Sequence, residues 1–199
     1  SAALVFIAVS GLVCSYFVPS APSQVPELKI NWNPFTETIK VMRYAKQKRA
    51  VWIAVLSVSW FWFLGAAYTT QLKVYVDDYL HAGETVYALL LMVFSFGIGI
   101  GSWACKAVSR GRLTLSLVPF GALAITVFGV DLYFAYQGLL AVESATVAEF
   151  MTQQGVWRLL LDLLLIGVGG GFYVVPLFTY IQEATAETHR ARVIAACNV

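Results

Sequence analysis

Residues able to do chemistry are sparse in this 199-residue chain and stand mostly beside long apolar runs. The most informative set lies in Arg158 to Gln182, RLLLDLLLIGVGGGFYVVPLFTYIQ, where Arg158 and Asp162 are one helical turn apart. At that spacing the two side chains can meet. An ionised carboxylate in hydrocarbon is costly unless it is paired or hydrated, which leaves two readings open. One is a structural ion pair near the end of the helix. The other is a polar stripe facing a water-filled path, where Arg158 attracts a phosphate and Asp162 serves proton coupling. At about 100° per residue the stripe continues through Gly169, Tyr173, Pro176 and Tyr180, and Leu160, Leu164 and Val168 fall on the opposite, lipid-like side.

A second run, Ala50 to Thr70, puts Ser57, Trp60, Leu64, Tyr68 and Gln71 on one face. From the two stripes, Trp60, Tyr68, Gln71, Arg158, Asp162 and Tyr173 are the candidates for lining a substrate path. Aromatic residues in such runs more commonly pack or anchor at the interface. Asp77, Asp78, His81 and Glu84 share a polar stretch without metal-ligand spacing, as do the separated Cys14, Cys105 and Cys197, so no metal and no cofactor is expected. Gly97, Gly99 and Gly101 form a Gly-x-Gly run that no strand precedes, which points to helix packing instead of nucleotide binding. Gly169, Gly170, Gly171 and Pro176 read the same way, as sites of close packing or bending. No nucleophile, base and orienting partner recur at workable spacing, so the chain is not expected to be an enzyme.

The elements that must position these residues are membrane helices. With 59% hydrophobic and only 12% charged residues, the chain is far more apolar than a soluble domain, which carries about 25% charged residues. A net charge of +2 is too small to suggest nucleic acid. The pattern predicts an all-α polytopic membrane protein with spans at about 1–18, 50–70, 85–105, 113–136 and 157–181. Pro19, Pro22 and Pro26 end the first. A polar linker then leads to an amphipathic helix over 34–47, capped by Asn33 with Pro34 at its first position. That helix sets Phe35, Ile39, Met42 and Ala45 against Glu37, Lys40, Arg43 and Lys48, a pattern suited to the anionic cytoplasmic surface. Asp131 is expected to reach the interface, and 72–84 and 137–156 to be polar loops. Basic residues, including Lys106, Arg110 and Arg112 of a tight turn, fall on alternate connections, which the positive-inside rule makes cytoplasmic. The chain opens inside an apolar run at Ser1 and closes at Val199 as another begins, as expected of a fragment.

A span, a long amphipathic linker and four closely spaced spans resemble the middle of the major facilitator superfamily, around helices six to ten. There a cytoplasmic loop joins two six-helix halves. Residues 1–18 would end the first half, 19–49 form the linker, and 50–199 belong to the second half. The turn GSWACKAVSRGR stands where that superfamily carries a Gly- and Arg-rich loop motif, with Cys105 at a usually acidic position. The strings LKINWNPFTET, SWFWFLGA, LMVFSFGIGIGS, LVPFGALAITVFGVDLYFA and GGFYVVPLFTYIQEATAETHRARVIAACN resemble the lysophospholipid transporter branch. In particular they are similar to bacterial proteins in which that transporter is fused to an acyltransferase. The resemblance implies movement of lysophospholipid, chiefly lysophosphatidylethanolamine, across the inner membrane for reacylation. No His followed four residues later by Asp, an acyltransferase signature, is present, so any fused enzyme would lie outside this segment. Another cargo (drug, peptide or sugar) and a passive membrane anchor remain as alternatives.

Overall fold

The computed structural model describes residues 2–19, 33–136 and 146–197, and no strand occurs among them. The chain divides into two units, residues 1–32 and 33–199. In the first, α1 (Ala2–Tyr16) is a single apolar helix of 15 residues, about 22 Å long and short of a bilayer core of roughly 30 Å. The second holds α2 (Pro34–Gln47), α3 (Arg49–Val74), α4 (Glu84–Ser109), α5 (Leu117–Tyr136), α6 (Val147–Thr152), α7 (Val156–Ala184) and α8 (Glu187–Ala196). Four helices, α3, α4, α5 and α7, are long and apolar enough to cross a membrane, where five spans were expected. This is an all-α polytopic membrane protein.

Local chemistry sets most helix ends. Asn33 accepts from the amides of Phe35 and Thr36 at 3.1 and 3.2 Å, so α2 begins at the predicted cap. Arg110 closes α4 in the left-handed region at φ 51°, followed by Gly111 at φ 70°. The expected loop 72–84 is mostly helical instead. The chain continues from α3 into a π-turn, Tyr75–Tyr79, in which Lys73 pairs with Asp77 at 2.9 Å and Val76 is fully buried. Within the second expected loop, Val147–Thr152 is helical too. Thr146 and Glu149 form a reciprocal capping box at the start of α6, and Phe150 is driven completely into the core. The Thr146 amide and hydroxyl hold the Glu149 carboxyl below the usual carboxylate range.

α7 is the axis of the bundle. Of its most apolar stretch 61% is buried, against 6% for α5. The reason is glycine. Gly97 and Gly101 of α4 meet the backbone of Leu164, Gly167 and Val168, and Gly167 and Gly171 of α7 meet α4 in return. Two small-xxx-small stripes thus face each other, allowing backbones to approach as membrane helices without a hydrophobic driving force require. Gly121 of α5 packs on Gly169 and Tyr173, and Gly170 lies against the Phe61 ring of α3. The order of these contacts makes α4 parallel to α7 and α5 antiparallel to it. Gly99 has open space where a side chain would be, so this member of the predicted packing set does not pack. Nor does α7 keep a lipid-facing side at Leu160, Leu164 and Val168. Leu160 is buried, and the backbone of the other two carries the contact with α4. Pro176 is buried and the helix continues through it.

Two apolar cores lie at opposite ends. At the basic end, Val41 and Ala45 of α2 pack with Val51, Val55 and Val58 of α3, Ile181 of α7 and Val193 of α8. The buried stripe of α2 therefore runs through Val41 and Ala45, whereas Phe35 and Ile39, expected on the same face, remain uncovered. Lys48 donates to the Ala184 carbonyl at 2.8 Å, placing a cation on the C-terminus of α7. Tyr44 stacks on His189 at 4.2 Å. Cys197 is buried beside α3, its backbone carbonyl accepting from Ser59 at 3.2 Å, and burial pushes its thiol up to about 11. At the other end Val76, Leu80, Val86, Leu90, Phe150, Val156 and Leu159 form the second core.

Candidate functional site

The end of the bundle away from the basic turns holds a cleft of about 470 Å³ between α3, α4, α5 and α7. Helical periodicity assembles it. Tyr68, Gln71, Leu72 and Tyr75 recur at three- and four-residue spacing along α3 and its extension, and Leu159 and Leu163 are one turn apart on α7. Leu91 and Phe94 come from α4, and Gly129, Leu132 and Tyr133 from α5. The walls are mostly apolar, with four phenols, the Thr69 hydroxyl and the Gln71 carboxamide as their polar groups. Gly129 leaves room for the tip of Tyr68, whose hydroxyl would have to shift if a Cβ stood there.

Beside the lining residues Leu132 and Leu159 stand Asp131 and Arg158. The Arg158 Nε donates to Asp131 Oδ2 at 3.0 Å and the Nη2 donates to Oδ1, a two-pronged match of planar groups across α5 and α7. Both side chains are partly exposed, at 54% and 38%. The ion pair read from spacing, Arg158 with Asp162, is therefore not formed. Arg158 lies near the start of α7, where its guanidinium reaches the end of the neighbouring helix. Asp162, one turn further in, is only 2% exposed. Its Oδ2 receives no hydrogen bond.

Of the other sequence candidates, Tyr68 and Gln71 line the cleft. Trp60 does not: it is 56% exposed and lies against Phe63 at 5.4 Å. Tyr173 sits toward the basic end, stacked on Phe61 at 6.0 Å and donating to the Ser57 carbonyl at 3.3 Å. Ser57 and Tyr173 stand on the two separate polar stripes, and their contact closes a helix interface instead of lining space. Lys106, Arg110 and Arg112 fall at the opposite end from the cleft, at the exit of α4. Sequence reasoning missed Gly129, Tyr133 and the partnership of Asp131. Only the string GVDLY, a charge inside an otherwise apolar run, marked that segment. Among the described residues no three His, Cys, Asp or Glu side chains are grouped to hold a metal ion.

No family model, curated protein or solved structure matches this chain.

Proposed function

We propose that this chain forms part of a transporter of the major facilitator type, moving lysophospholipid across the bacterial inner membrane by alternating access. The observation that carries the reading is the mostly apolar cleft walled by α3, α4, α5 and α7 at the end away from the basic turns. An acyl chain needs an apolar wall and a headgroup needs polar partners, and the cleft sets Tyr68 and Gln71 among its apolar residues. The cleft volume lies within the range of roughly 300–1,000 Å³ common for small-molecule sites. The glycine-lined contacts of α7 with α4 and α5 supply smooth surfaces along which one helix can slide against another, as rocking bundles require. In this reading the basic turns lie in the cytoplasm and the cleft opens outward. The uncovered Phe35 and Ile39 of α2, next to Lys40 and Arg43, then rest in the cytoplasmic headgroup layer. A fused acyltransferase would consume the delivered lipid on that side.

A second cargo class, a drug or apolar peptide, suits the same mostly apolar walls. A passive anchor has no need of the buried Asp162. The test is flux of labelled lysophosphatidylethanolamine into vesicles bearing the intact protein. Gly129→Leu, which displaces Tyr68 and fills the cleft, should reduce the rate at least tenfold, and Trp60→Ala, remote from the cleft, should leave it unchanged. Equal rates for Gly129→Leu and the native protein would remove the cleft from the transport path. Competition by drugs or peptides, without competition by lysophospholipid, would select the second cargo class.

A further inference from the structure

We infer that α2 is a clamp worked by anionic phospholipid: headgroups on the basic side hold its uncovered face and thereby keep that end of the bundle closed. This rests on the placing of α2 in the headgroup layer and goes beyond it, to what the lipid does there. α2 has two working faces. One is the stripe of Val41 and Ala45, sunk into the core that α3, α7 and α8 share. The other holds Phe35 and Ile39, exposed at 79% and 58% although the helix is docked. At about 100° per residue, Phe35, Ile39 and Lys46 fall within roughly 40° of one another, and their stripe lies about 120° from the buried one. Bundle and bilayer can therefore grip the same helix at once.

Charge names the occupant. From Asn33 to Arg49 the chain carries Lys40, Arg43, Lys46, Lys48 and Arg49 against a single carboxylate, Glu37. Lys40, Arg43 and Lys46 are exposed, and Arg43 stands opposite the buried stripe. An apolar pair set among cations fits acyl chains beneath a layer of phosphates, and each such cation near an anionic surface is worth about fivefold in affinity. A helix of 14 residues is marginal on its own in water. Only while helical does it line up its apolar pair with its cations, so lipid favours the helix that docks over a chain that has come away. Docking seals the basic end. Tyr44 stacks on His189 of α8, Lys48 holds the Ala184 carbonyl of α7, and Cys197 is 1% exposed in the same core as Val41 and Ala45.

Cys197 reports the state of the clamp in the intact protein, with no cargo present. Its maleimide labelling rate follows the population in which that core is open. Read by mass spectrometry, the rate should be at least fivefold slower in phosphatidylglycerol vesicles than in phosphatidylcholine vesicles. Cys105, buried in α4 outside that core, should label alike in both. Lys40→Gln combined with Arg43→Gln should bring the phosphatidylglycerol rate up to the phosphatidylcholine rate. Equal native rates at Cys197 in the two lipids, protection that survives the double variant, or parallel slowing at Cys105 would each overturn the clamp, and the native comparison decides if the variant fails to fold. Inorganic polyphosphate that protects Cys197 equally in phosphatidylcholine would assign the face to a soluble polyanion and likewise overturn it. Lysophospholipid flux plays no part in the readout, so a failed cargo assignment leaves the result standing.

Discussion

Replacing Gly101 by alanine tests the claim that α7 is held by backbone-to-backbone packing. A Cβ at Gly101 would lie 2.7 Å from the Val168 Cα and 2.8 Å from its carbonyl carbon, where ordinary contact begins near 3.4 Å. Those atoms belong to a helix backbone and cannot rotate away. Relief therefore requires α4 and α7 to part by on the order of 1 Å, which also loosens the contacts at Gly97, Gly167 and Gly171 and forfeits much of their dispersion energy. Overpacking of this kind costs about 1–3 kcal/mol. Gly99→Ala is the control, because its new methyl meets nothing within 4 Å. It should instead gain up to about 1 kcal/mol in helix propensity. Gly101→Ala gains the same propensity, so the two variants, two residues apart and chemically identical, should differ by the overpacking cost, roughly 1–3 kcal/mol. For a chain of this size that is a separation of about 2–12 °C in unfolding midpoint. Thermal unfolding of the purified protein in detergent, followed by tryptophan fluorescence, measures it. Superimposable curves for Gly101→Ala and Gly99→Ala would refute the packing argument.

Phe150→Ala should destabilise the protein by about 3–5 kcal/mol, since the ring is wholly buried among Val76, Val86, Leu90 and Val156; denaturant titration would detect it, and a loss below about 1 kcal/mol would mean that α6 is not anchored. The capping box gives a pH dependence. Its depressed Glu149 carboxyl contributes stability above the unfolded-state value that is lost as pH falls through the lower folded-state value. The protection of the Phe150 amide against hydrogen exchange should fall over that acid range, and Glu149→Gln should abolish the dependence. Cys197, with its thiol pushed up to about 11 by burial, should resist maleimide at neutral pH and react on unfolding, because the thiolate is the reactive form. Rapid labelling in the folded protein, read by mass spectrometry, would contradict the docking of its segment against α3.

How much of the fold was legible varies by element, and for physical reasons. The bounds of α2 were readable to the residue because Asn33 and Pro34 act locally. The extension of α3 into Tyr75–Tyr79 was not. Asp77 and Asp78 resemble loop residues, and only the burial of Val76 and Leu80 under α6 and α4 makes a helical turn there worthwhile. α5 starts four residues later than the apolar run, since Leu113 to Ser116 complete the turn after Arg112. Of the candidate site, Tyr68 and Gln71 were found because both lie on a helical stripe facing a gap. Trp60 shares that stripe, yet the gap does not extend to its depth.

Composition and apolar run length alone established that this is a helical membrane protein and roughly where most of its spans lie, because the cost of exposing backbone in hydrocarbon is paid within each segment. Which glycines pack, which face of α7 is covered and which acid Arg158 holds were decided only by assembly. Asp131 lies 27 residues from Arg158 in the chain, and Asp162 lies one turn away, yet the nearer acid is buried and Arg158 pairs with the distant one. Spacing along one helix tells which side chains can meet, whereas the position of a neighbouring helix determines which of them do.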